Sequence, residues 1–137
     1  MSYTQEISRA TPGYLVILID QSFSMCYPFG SAGTKSKECA KAVNRVLRET
    51  VLACTDGEDI KNSCDISVLG YGKLKDAAVN AFSGTLAAKP VVTIQELTEN
   101  CLRVETIKRK VSDGAGGLVE IDDQFPIWIE PAAVGET

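Results

Sequence analysis

The sequence predicts an α/β domain with a mostly parallel central sheet and flanking helices. Three observations predict it: a continuous apolar run, Tyr14–Ile19, that ends abruptly at Asp20; an amphipathic stretch from Ser36 to Cys54; and a second apolar segment, Asp65–Tyr71. Strand, helix, strand over this length is the pattern of a βαβ unit, whose right-handed crossover lays the helix on one sheet face. At 137 residues the chain has the size of one domain, taken as 1–137.

Tyr14-Leu15-Val16-Ile17-Leu18-Ile19 is apolar throughout and rich in β-branched residues, as expected of a central strand covered on both faces. The loop from Gln21 to Lys35 contains Pro28, Gly30 and Gly33. In the helical stretch, Cys39, Val43, Val46, Leu47, Thr50, Val51 and Cys54 fall on one stripe. Lys37, Lys41, Asn44, Arg48 and Glu49 lie mostly opposite. Thr55-Asp56-Gly57 supplies a helix stop. The second strand is expected to close in a Gly70-Tyr71-Gly72 turn, and Ala77–Phe82 reads as a third, short strand. Ile94–Leu102 fits a short helix, and Leu102–Val111 fits strand and helix equally. Asp113–Gly117 is a turn and Leu118–Asp122 a short strand; the prolines of Phe125–Pro131 suit an edge strand or a strand start.

Composition removes several functions. Fourteen Lys and Arg against 18 Asp and Glu give a net charge of −4, so nucleic-acid binding would need a local basic patch. The densest basic cluster, Lys108-Arg109-Lys110, reads as a solvated face. The absence of histidine excludes Ser-His-Asp and Cys-His catalysis and every zinc site that needs imidazole. The five cysteines, Cys26, Cys39, Cys54, Cys64 and Cys101, are odd in number and form no C-x-x-C pair; reduced thiols are expected. No apolar run approaches the ~20 residues of a membrane span, and MSYTQEISRA lacks the pattern of a signal peptide. A cytoplasmic protein with no membrane and no nucleic-acid partner is expected.

The best site candidate is Asp20-Gln21-Ser22-Phe23-Ser24, directly after the first strand, because ligands of open α/β sheets bind at the carboxyl ends of strands. Asp20, Ser22 and Ser24 alternate, so a curled loop brings three oxygen side chains to one point. A carboxylate and hydroxyls are hard ligands suited to Mg²⁺ or Mn²⁺, with Ca²⁺ a third candidate. With a single formal negative charge in the set, such an ion would accept a further carboxylate from a partner. The bland reading is that Asp20 caps a turn and the serines bond the loop backbone.

The stretch LVILIDQSFSM resembles the first strand and metal-ion-dependent adhesion site of a von Willebrand factor A (vWA) domain, and SVLGYG resembles that family's second strand. FSGTLAAKPVVTIQEL, DGAGGLVE and FPIWIEP are similar to segments of intracellular bacterial members, which continue into Gly-Gly-Thr-Pro-Met. Here the sequence reads Ala133-Val134-Gly135-Glu136-Thr137, with Glu136 in place of the second glycine. The resemblance implies a Rossmann-like vWA fold represented by its N-terminal part. It also implies a metal site of Asp20, Ser22 and Ser24, with the threonine ligand's role carried over to Thr137. A missing C-terminal part, a partner chain or self-association would then complete the sheet. The function implied is a protein–protein interaction module, not an enzyme, that binds an Asp or Glu of a protein partner through Mg²⁺ or Mn²⁺.

Two other classes compete. One is a structural or assembly module of the same fold that uses no metal. The other is a haloacid-dehalogenase-like phosphatase, which needs a second acid where Ser22 stands, and a serine does not protonate a leaving group at neutral pH. Gly30–Ser36 lacks the glycine spacing of a phosphate-binding loop. Asp122 and Asp123 are expected to be solvated and Trp128 to pack in the core or at an edge. Phe23, Tyr27 and Phe29 flank the candidate site, either as partner contacts or as a cover for the sheet top.

Overall fold

The computed structural model describes residues 13–28, 30, 33–57, 59–74 (backbone only at 73 and 74) and 77–131. The first apolar run forms β1, Gly13–Asp20. A 3₁₀ turn, Phe23–Cys26, follows and leads to helix α1, Lys35–Ala53. A tight hairpin, β2 (Thr55–Asp56) and β3 (Asp59–Ile60), turns at Gly57, whose φ of 63° suits glycine. Strand β4, Cys64–Leu74, pairs in parallel with β1 from Gly13↔Cys64 to Asp20↔Tyr71. Then come β5 (Ala77–Asn80), a 3₁₀ turn at Gly84–Ala88, β6 (Val92–Thr93) and helix α2 (Ile94–Glu99). A long hairpin, β7 (Arg103–Ser112) with β8 (Leu118–Ile127), completes the described chain.

The α/β content and the β1–α1–β4 unit match the sequence reading, but the sheet is small and mixed. Strands β5 and β6 both run antiparallel to β4, so β1–β4 is its only parallel pairing among the described residues. The expectation of a mostly parallel sheet is corrected here. β1 is also not a central strand: it ends the β1-β4-β5 order. Its side chains alternate, with Leu15, Ile17 and Ile19 turned to the core and Tyr14, Val16 and Leu18 exposed. An all-apolar run does not report how many faces are covered, because alternation is invisible when both faces carry apolar residues.

One core holds the elements together. Leu47 of α1, Ile66 and Val68 of β4, Leu86, Val92, Ile94 and Leu97, and the Trp128-Ile129 pair after β8 are buried together. The α1 stripe is rotated from its sequence reading: Val46 is exposed, whereas Asn44 is buried. The cause is a backbone clamp. The Asn44 side chain accepts from the backbone N–H groups of Trp128 (2.9 Å) and Ile129 (3.0 Å) and donates to the Ile129 carbonyl (3.0 Å). A buried amide is tolerated when every partner is satisfied. Trp128 takes the core role expected of it, and its indole N–H donates to the Leu97 carbonyl at 2.7 Å.

The hairpin strands are longer than the sequence suggested, and Leu102–Val111 resolves as strand. Arg48 ties the hairpin to α1: its guanidinium lies 3.2 Å from Asp123 and 4.5 Å over the Phe125 ring. Asp123 is therefore an ion-pair partner, not a merely solvated acid.

Candidate functional site

The loop after β1 is shaped by β4. The backbone N–H of Gln21 donates to the Tyr71 carbonyl at 2.7 Å, extending the β1–β4 ladder by one bond. The Gln21 side chain lies across Gly70, where a Cβ would collide with its amide. Ser22 lies against Gly72, whose added Cβ would sit 3.0 Å from both the backbone nitrogen and Cβ of Ser22. Gly70-Tyr71-Gly72 is thus not the end of the strand. β4 continues to Leu74 through a register shift, and Gly72 adopts a φ of 84° there. The two glycines keep the strand low so that the Asp20 loop can pass over it.

Beyond Gln21 the chain curls. The Met25 N–H donates to the Ser22 carbonyl at 3.0 Å and the Tyr27 N–H to that of Ser24 at 3.1 Å. Asp20 accepts from the Ser22 backbone N–H through Oδ1 at 2.9 Å, and the hydroxyls of Ser22 and Ser24 are 3.2 Å apart. The structure therefore brings Asp20, Ser22 and Ser24 together. Hydrogen bonds from Ser22, through its side chain and then its backbone, hold the Asp20 carboxyl below its ordinary pKa. Burial opposes this weakly, and the Lys35 charge adds to the lowering. Asp20 is accordingly ionised at neutral pH.

Thr34 closes the loop from the far side. It caps α1, accepting from the Lys37 N–H at 3.3 Å, while the Lys35 N–H donates to the Tyr27 carbonyl at 3.0 Å. Phe23 and Tyr27 stand edge to face, 5.9 Å between centroids, and both are about half exposed on the rim. Thr137, Glu136 and Phe29 lie outside the described residues.

The donors are of the kind a hard divalent ion takes. Adjacent ligands on an octahedral Mg²⁺ at 2.0–2.1 Å stand about 3.0 Å apart, close to the Ser22–Ser24 hydroxyl spacing. The Ser22 backbone N–H engages Oδ1 of Asp20. One carboxylate and two hydroxyls thus fit such an ion, with its remaining positions open. No cluster of three or more His, Cys, Asp or Glu side chains occurs among the described residues.

Two participants near the loop were not legible in the sequence. Glu130 lines a cavity of about 10 Å³ together with Asp20, Gln21, Ser36 and Cys39, and it pairs with Arg103. No local pattern links Glu130 to Asp20, because the segment after β8 comes beside α1 through tertiary contacts, the Asn44 clamp among them. Gln21 is 7% exposed, and its Oε1 has no hydrogen-bond partner among the described residues. Gly70 and Gly72 did leave a signal, since paired glycines in a strand mark close backbone approach. No helix among the described residues is long and apolar enough to cross a membrane. The sequence matches no protein-family model, and no characterised protein or solved structure matches it.

Proposed function

We propose that this chain is a metal-dependent protein-interaction module of the vWA type, with a Rossmann-like arrangement of which β1, α1 and β4 are the first unit. In this reading Asp20, Ser22 and Ser24 hold Mg²⁺ or Mn²⁺, and the ion supplies the attraction for an Asp or Glu side chain of a protein partner. The observation that carries it is the convergence of one ionised carboxylate and two hydroxyls at the carboxyl end of a parallel strand. The chain's own contributions are a preset loop, a negative charge on Asp20 and an aromatic rim of Phe23 and Tyr27. Thr137 would add a ligand in the same reading. In this reading the module binds and does not catalyse.

A metal-free assembly module is the second reading. What favours it is that the loop satisfies itself: Asp20 caps Ser22, and the serine hydroxyls lie within bonding distance of one another. Titration of Mn²⁺ into the protein and into Asp20→Ala, followed by calorimetry and by melting, separates the two. Saturable binding by the unaltered protein, lost in Asp20→Ala, is the expected result. Identical responses of the two proteins would sink the metal site.

A further inference from the structure

A groove of about 350 Å³ opens between α1 and the β7–β8 hairpin, and none of its lining residues belongs to the Asp20 loop. Arg45 and Arg48 from α1 meet Lys108 and Arg109 from β7 there, with Glu49 and Asp123 as the only carboxylates of the lining. Lys108 is paired with Glu120 outside the lining, so three guanidiniums against two carboxylates leave one positive charge over, in a chain whose net charge is −4. A local reversal of sign in a concave site concentrates anions.

The internal pairings show which charges are free. Asp123 is shared by Arg48 at 3.2 Å and Arg109 at 3.7 Å. Glu49 lies 3.8 Å from Arg48, which is also stacked on Phe125. Arg48 is therefore committed, and its guanidinium is fixed before any ligand arrives. Arg45 forms no ion pair among the described residues, Arg109 has only its long contact to Asp123, and Lys108 reaches Glu120 at 3.5 Å. Ile107 and Phe125 give the groove an apolar wall.

We propose that this groove binds a phosphate monoester, with Arg45 and Arg109 making the direct guanidinium contacts. Two guanidinium forks, on Arg45 and Arg109, are better matched by the three terminal oxygens of a phosphate monoester than by the two of a carboxylate. The planar fork of arginine matches two phosphate oxygens, which a lysine ammonium does not. The volume suits a group of small-molecule size rather than a polymer track. Glu49 and Asp123 inside the lining also oppose a long polyanion.

The test is calorimetric titration at fixed ionic strength with inorganic phosphate, phenyl phosphate and a phosphoserine peptide. One-to-one saturable binding of at least one is expected, weakened about tenfold or more in Arg45→Ala/Arg109→Ala. Lys110→Ala, outside the lining, leaves it unchanged. Tightest binding of phenyl phosphate assigns a small aromatic phosphate, tightest binding of the peptide assigns a modified partner segment, and equal binding assigns the phosphate group alone. No saturable heat with any of the three, or equal affinity in the double variant, overturns the proposal. Arg45 and Arg109 are exposed, and the buried Trp128 emission reports that the variant is folded. Should that emission be lost, Arg45→Gln, which breaks no ion pair among the described residues, carries the same comparison.

Discussion

Replacing Asn44 by alanine removes three buried hydrogen bonds with one substitution. The Trp128 and Ile129 N–H groups and the Ile129 carbonyl would then lie in the core without the Asn44 amide. Each orphaned buried group costs about 1–3 kcal/mol. Water entering the vacated space recovers part of this, so we expect a total loss of about 3–5 kcal/mol. That is a large share of the ~5–15 kcal/mol by which a domain is stable. Urea unfolding followed by tryptophan emission is the assay. Trp128 is the only tryptophan, is 3% exposed, and adjoins the clamp, so its emission reports both the global transition and local release. The expected result is a lower midpoint with an unchanged slope and red-shifted native emission. A loss below about 1 kcal/mol with native emission unchanged would refute the claim that Asn44 fixes the segment after β8.

Two further predictions follow from the packing. Gly70→Ala should destabilise by about 1–3 kcal/mol, because its Cβ would collide with the Gln21 amide. Adding Gln21→Ala should return most of that loss in the same unfolding assay; no coupling between the two would show that the loop does not lie over Gly70. Glu96 has its pKa held down by the Lys89 ammonium and then by the Thr93 backbone N–H in its capping box. Its folded-state pKa lies below the unfolded one, so its stabilisation is full above the unfolded pKa and fades as pH falls through the folded value. Glu96→Gln keeps the cap but loses the charge: we expect a loss below about 1 kcal/mol at neutral pH. The difference from the unaltered protein should vanish in acid, and a difference that stays constant with pH would count against the ion pair.

The local elements were readable because their causes are local. β1 and its break at Asp20, the extent of α1 and the turn at Asp113–Gly117 follow from an apolar run, an amphipathic stripe and turn glycines. The Asp20, Ser22 and Ser24 constellation was readable for the same reason: its members are neighbours, and the Asx-type bond from Ser22 to Asp20 forms within the loop itself.

Tertiary structure decided the rest. Strand direction was not in the sequence, since an apolar run of four to eight residues fits a parallel or an antiparallel neighbour; the short connection from Leu74 to Ala77 turned β5 antiparallel to β4, and β6 runs the same way as β5. Asn44 read as a surface residue because an amide carries no mark of its distant backbone partners, and Asp123 read as solvated because Arg48 lies on another element. The basic groove has the same origin: Arg45 and Arg48 are unremarkable on a helix, and Lys108 and Arg109 on a strand, until packing adds their charges together. By itself the sequence determined where chain segments become helix or strand and which neighbours share a loop. Only the tertiary structure decided which faces are covered and which charges meet, because burial and Coulomb energy depend on distance in space rather than along the chain.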